Sequence, residues 1–479
     1  MSLNVTNGID EGLVHKQRLS LDVARWLLTV FGCLAVGVLL GVTSESPLMV
    51  LVVLAVIGVF AFLGMDLAFY SILLFLPFSF RYIIPGRGFE VQTPSEPLLG
   101  MLVVVFLIQK VFDRAVFKTG ASEDKKFPFA SPITIFIIVT VLPAINSPDM
   151  LGSIKGAIRA NVYVMSSFLT FLLIRSRQNL QWLFWSVFPS AVIAVVWTII
   201  ILIYNIDLWQ WTSAYRGSPF TNYSVFGSYT AIFFLIVLSR LLLDRTSYDR
   251  VFWSVMLMIF TVGILLCFSR GVWLSLIISV GFLLINLPQA EQHKRILIIG
   301  GGFVFLLVLL LLPSVSDLIS ERVSTLFDPQ FASNRSRLLR WVQAFLMFTE
   351  HPIIGNGYGA FAILYQEDTA LTGEYVAQFQ LGAHSEYMQI LAEQGSLGIL
   401  AWFWLILTFF RFGVQALRRV RETFFRSLVL GIMAVELSLL VHFCVNNLLN
   451  GDAIGIPFWI LYGLLPAIVR IAEREVEAT

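Results

Sequence analysis

The chain has 479 residues, 58% of them hydrophobic and 13% charged, with a formal net charge of +2 and a mean hydropathy of +0.84. Those values exclude a soluble globular enzyme and give no reason to expect a nucleic-acid partner; they imply an all-α polytopic membrane protein. Cys33, Cys267 and Cys444 lie apart in apolar runs with no paired spacing, so no disulfide is implied.

The first twenty residues are polar, and the apolar run after them is of spanning length without a small-residue cleavage site, which predicts an anchor rather than a cleaved signal. Stretches long enough to span, at roughly 17–20 apolar residues each, fall near 22–42, 47–64, 97–113, 158–175, 180–204, 223–243, 251–268, 271–288, 296–314, 396–413, 427–447 and 455–470. Two shorter runs, 66–80 and 131–146, give fourteen spans if both cross and twelve if they are re-entrant or merged. The expected organisation is a cytoplasmic tail at 1–21, a bundle over 22–314, one large outer helical loop over 315–395, closing spans over 396–470, and a cytoplasmic tail at 471–479.

Charge placement orients this map. Cytoplasmic flanks carry an excess of lysine and arginine, and 22 of the 32 fall on one set of loops. The ten on the other side are Arg81, Arg87, Lys155, Arg159, Arg216, Arg270, Arg322, Arg335, Arg337 and Arg340, and nine of them are arginine. Arginine recognises phosphate or carboxylate with two parallel hydrogen bonds, so the bias points to an anionic ligand on the outer face. The alternative is pairing with the outer acids Asp149, Glu321, Asp328 and Glu350, or with lipid phosphates. Arg216, in YRGSPFTNY, and Arg270, in FSRGVW between two apolar runs, sit at membrane boundaries. An arginine there needs a partner or a water-filled cavity unless it snorkels.

The long gap between spans carries the remaining signals. Asn334 is a candidate N-cap; Leu338, Leu339, Val342, Phe345 and Leu346 recur at helical spacing, with Arg337 and Arg340 on the other side. His351-Pro352 should end that helix. A turn with Gly355, Gly357 and Gly359 follows, and His384 opens a second short helix. A neutral imidazole there can take a proton from a hydroxyl; the alternative is a structural residue at a helix start. Glu386 and Glu393 are close enough in sequence to orient it. His442, with Asn446 and Asn447, suggests a buried polar network. There is no P-loop and no outer cluster of metal ligands, so a reaction without metal or cofactor is expected.

These residues resemble the O-antigen ligase/polymerase superfamily. The resemblance rests on Arg216-Gly217 followed by Asn222, on Ser269-Arg270-Gly271, on Arg337-x-x-Arg340-Trp341, on PIIGNGYGAF from Pro352 to Phe361, and on His384 with Glu393, Gly395 and Gly398. His384-Ser385 stands where the family has His-Asn. The resemblance implies an inverting glycosyltransferase of the bacterial inner membrane, with its active site facing the periplasm. It would move a glycan from undecaprenyl pyrophosphate to a lipid or glycan acceptor hydroxyl. By the same resemblance, Arg216 and Arg270 would hold the pyrophosphate and His384 would activate the acceptor, with Arg337, Arg340, Trp341, Tyr358, Arg159 and Asn222 as substrate-binding positions. A ligase acting on lipid A core is expected first, a polymerase using the same donor second, and a small-anion transporter third.

Overall fold

A computed structural model describes residues 64–84, 89–93, 95–116, 126–205, 219–220, 222–243, 247–288, 332–369 and 382–478. The expected spans near 22–42 and 296–314, most of that at 47–64, and Arg216 lie outside the described residues. The chain is an all-α polytopic membrane protein. Among the described residues, seven helices are long and apolar enough to cross a membrane.

The chain forms two compact units, 1–124 with 181–190 and 125–180 with 191–479. In the first, helix α1 (Met65–Phe75) is followed by an antiparallel hairpin, β1 (Phe80–Ile84) with β2 (Phe89–Thr93), and by α2 (Ser95–Val116). The hairpin was not expected from hydropathy. Its register pairs Phe80 with Thr93 and Ile84 with Phe89, and Glu96 at the start of α2 accepts from Gln92 N at 2.9 Å.

The remaining helices are α3 (Ala130–Val141), α4 (Met150–Leu173), α5 (Arg177–Tyr204), α6 (Tyr223–Leu243), α7 (Ser247–Cys267), α8 (Arg270–Ile285), α9 (Ala332–Glu350), α10 (Ala360–Thr369), α11 (Glu386–Arg419), α12 (Thr423–Phe443) and α13 (Asp452–Ala478). The run at 66–80 forms α1 plus a short 3₁₀ turn, and that at 131–146 forms α3 plus another; both are shorter than the spanning helices.

In the second unit, α6, α12 and α13 are buried along most of their length, whereas few residues of α7 are buried. A helix apolar on all sides belongs inside a bundle. The exposed Val251, Val255, Met258 and Val262 of α7, and Leu400 and Leu407 of α11, are apolar because their surroundings are lipid. Close helix approach uses small residues: Gly463 of α13 packs on Ser167 and Thr170 of α4, and Gly431 of α12 on Ser239 of α6.

One end of this bundle is tied by arginines. Arg470 donates to the carbonyls of Phe171 and Ile174 at 2.5 and 2.9 Å, satisfying groups that α4 leaves open at its C-terminus. Arg177 bridges Glu422 and Glu475 at 2.6 and 2.7 Å, and Arg240 donates to Ser427 Oγ at 3.0 Å with its guanidinium over Phe424. The opposite end carries the candidate site.

Candidate functional site

The frame of the site is a broken helix and the turn that mends it. Gly395 interrupts α11 with φ 63° and ψ −159°, so the carbonyls before the break and the N–H groups after it lose their helical partners. The turn after α9 supplies replacements. Asn356 N and Gly357 N donate to the carbonyls of Ala392 and Glu393 at 3.2 and 3.0 Å, while Ser396 N and Leu397 N donate to Pro352 and Ile353 at 2.9 and 3.1 Å. Asn356 Nδ2 adds bonds to the carbonyls of Met347 and Ala392. Helix α9 ends at Glu350, just before His351-Pro352, and Gly355, Gly357 and Gly359 all have positive φ.

Helix α9 is amphipathic in the opposite sense from a soluble protein's surface helix. Leu338, Leu339, Val342, Phe345 and Leu346 are exposed, while Arg340, Ala344 and Met347 are buried. Ala344 and Met347 share a small apolar core with Phe361, Tyr365, Ala383 and Ala392. The same face of α9 brings Arg340 to the segment leading into α11, where Arg340 Nη1 donates to the Gly382 carbonyl at 3.2 Å.

His384 follows in the left-handed region, φ 53°. Among the described residues only one other non-glycine does so, Phe268 at φ 49°, two residues before Arg270. Such a conformation costs roughly 1–3 kcal/mol per residue and persists where neighbours over-determine it. Two of the three expected catalytic positions therefore sit at or beside strained backbone. Ser385 caps α11 and accepts from Met388 N. Ser269 occupies the N-cap position of α8, and its Oγ lies 3.4 Å from Ser224 Oγ near the start of α6.

These elements bring four of the expected residues together. Arg270 Nη2 donates to Asn334 Oδ1 at 3.4 Å, so Asn334 lies in the first turn of α9 facing Arg270 rather than acting as the N-cap. Burial lowers the proton affinity of Arg337, and the charges of Arg270 and Arg340 lower it further. His384 is held down to about 4, first by burial and then by Arg340 and Arg337. At neutral pH the imidazole is uncharged and faces a concentrated positive field. On α9 beside these arginines, the Trp341 indole N–H is buried without a hydrogen-bond partner.

The other expected residues lie elsewhere. Asn222 Oδ1 accepts from Ser224 N at 2.7 Å, the geometry of a helix cap for α6. The Tyr358 hydroxyl bonds to Asn450 Oδ1; burial, with Glu393 and Glu386 nearby, raises its phenol well above the usual value, and Arg159 opposes this. Tyr358 lines a mostly apolar cavity of about 40 Å³ with Phe136, Val164 and Trp459, into which Glu386, Gln389 and Glu393 also face. That volume suits water rather than a sugar ring.

Glu386 and Glu393 have a different place from the one expected. Glu386 Oε1 accepts from Leu448 N and Leu449 N at 2.5 and 2.7 Å, capping the loop between α12 and α13. Glu393 Oε1 accepts from Phe361 N at 3.3 Å and from Gln389 Nε2. Backbone donors engage both carboxylates because they are buried among them. Asn446 donates to His442 Nε2 at 2.7 Å, leaving Nδ1 to donate to Ser228 Oγ at 2.6 Å.

Gln389 was missed from sequence. Its spacing of four from Glu393 on one helix was the available signal.

No curated protein matches the chain. Residues 253–403, which contain Arg270, Arg337, Arg340 and His384, match the family model described as O-antigen ligase, and this segment of the chain is similar to that family.

Proposed function

We propose that the protein is a metal-independent, inverting glycosyltransferase of the bacterial inner membrane, working at its periplasmic face. It transfers a glycan from undecaprenyl pyrophosphate to an acceptor hydroxyl, with lipid A core as the first acceptor to test. The observation that carries this reading is that Arg340 and Arg337 lie beside an uncharged His384, with Arg270 beside Arg337, inside the segment matching the ligase family.

The chemistry follows from those charges. The acceptor oxygen attacks the anomeric carbon, the bond from that carbon to the pyrophosphate oxygen breaks with its electron pair on oxygen, and the hydroxyl proton passes to His384. Fixed cations stabilise the charge growing on the leaving group without reorganising. Arg270 takes this role with Arg216, while Arg337, Arg340 and Trp341 form walls for anions and sugar rings. Arg159, Tyr358 and Asn222 bind parts of the substrate further from these arginines. Beyond burial, Arg340 and Arg337 depress His384. A bound pyrophosphate offsets their charge, so the imidazole becomes a stronger base when donor is present and stronger still as the bond breaks.

The test is glycan transfer in a strain lacking its own ligase, at matched membrane levels of wild type, His384→Ala, Arg216→Ala and Arg270→Ala. Attachment of finished polymer by wild type, with lipid-linked glycan accumulating in the variants, is expected. Restored chain lengthening without attachment would make the enzyme a polymerase, and variants as active as wild type would end the assignment.

A further inference from the structure

We propose that Gln389, braced by Glu393, is a positioning residue that fixes the backbone presenting His384; the inference rests on the reading of His384 as the base. Gln389 Oε1 accepts from Ala383 N at 2.7 Å, immediately before His384. Its Nε2 donates to Glu393 Oε1, one turn along α11, and that oxygen also accepts from Phe361 N. Ala383, Gln389 and Glu393 are 0%, 6% and 2% exposed, so water offers little replacement for these bonds.

The segment before α11 is thus held on both sides of Ala383. Arg340 takes the carbonyl of Gly382, Gln389 takes the N–H of Ala383, and the Ser385 cap fixes the other flank of His384. A Cβ on Gly382 would come within 2.8 Å of Gln389 Oε1, so this backbone lies directly on the amide. A side chain with both an acceptor and a donor serves the Ala383 N–H and the Glu393 Oε1 together. Glutamate at 389 would lose the amide donor and face one carboxyl group with another. Exchanging the pair, Gln389→Glu with Glu393→Gln, keeps every donor matched to an acceptor and reverses only the 389–393 bond: position 389 accepts from Ala383 N and from the amide at 393, and position 393 accepts from Phe361 N.

The full-length enzyme in lipid nanodiscs tests this with two readouts: kcat and KM for transfer, and the carbethoxylation rate of His384 by diethyl pyrocarbonate, assigned by difference from His384→Gln. Gln389→Met and Gln389→Glu are expected to lower kcat about 10- to 100-fold, with KM nearly unchanged and an altered His384 rate, as for a displaced catalytic group. The exchanged pair is expected to recover both readouts. Wild-type kcat and His384 reactivity in Gln389→Met would overturn the proposal. So would an exchanged pair that melts like wild type yet recovers neither readout. If the His384 rate follows the predicted pattern while His384→Gln still transfers glycan, the positioning stands and the assignment of His384 as base falls.

Discussion

Arg340 Nη1 donates to the carbonyl of Gly382 at 3.2 Å while its guanidinium carbon lies 5.9 Å from the Tyr365 ring centroid. With 2% exposure, this side chain is structural support and local charge at once. Lysine keeps the charge but loses the planar fork, and Arg-to-Lys changes at such sites are not conservative. Arg340→Lys is expected to lower kcat/KM for the lipid-linked donor by about 10-fold or more, a loss of about 1.4 kcal/mol in transition-state stabilisation. Steady-state kinetics with purified donor measures it.

The pH profile gives an independent check. His384 titrates near 4 because of burial, Arg340 and Arg337, in that order. If it acts as base, the acid limb of kcat/KM in the free enzyme should fall as pH drops through that region. Removing a neighbouring cation favours the imidazolium, so Arg340→Met should move the limb upward toward the ordinary histidine value. A limb that stays in place, in a variant that still binds donor, would separate His384 from the proton transfer.

The turn over the α11 break should be intolerant of side chains. Gly355 has φ +79°, and a Cβ there would run into the backbone of Glu393 and Gln394; Gly395 has φ +63° and faces the Ile353 carbonyl. Alanine at either position is expected to cost at least ~2 kcal/mol, combining backbone strain with a backbone clash. Asn356→Ala, which removes the amide bonds to Met347 and Ala392, should cost about 1–3 kcal/mol. Thermal unfolding in detergent ranks the three, with both glycine variants expected below Asn356→Ala.

Much of this site was legible because local chemistry determines it. His351-Pro352 ends α9, three glycines make the turn, and α11 begins two residues after His384. What sequence could not supply was the direction in which an amphipathic face points. The apolar row of α9 reads as core in a soluble protein, yet it is exposed, and the face with Arg340 is buried. Beside a bilayer, apolar and inside are no longer the same requirement. The role of Glu386 was hidden for a different reason, since its partners are backbone groups of Leu448 and Leu449, far away in sequence. The hairpin at Phe80 to Thr93 was missed because hydropathy windows register span-length runs and pass over short aromatic strands around Pro85-Gly86-Arg87-Gly88.

The last prediction concerns how Arg270 is held. A Cβ on Gly271 would lie 2.7 and 2.8 Å from Cδ2 and Nε2 of His442, which is fixed by Ser228 and Asn446 and has little freedom to yield. Gly271→Ala should therefore push the first turn of α8, and Arg270 with it, away from α12, reducing both stability and transfer. His442→Ala alone loses two hydrogen bonds and leaves a void, at about 1–3 kcal/mol. In the double variant the void accepts the added methyl, so the two losses should fall short of additive by about 1 kcal/mol, with part of the transfer lost in Gly271→Ala recovered. Unfolding and kinetics on the four proteins of this cycle decide it: strict additivity would mean that His442 does not set the position of Arg270.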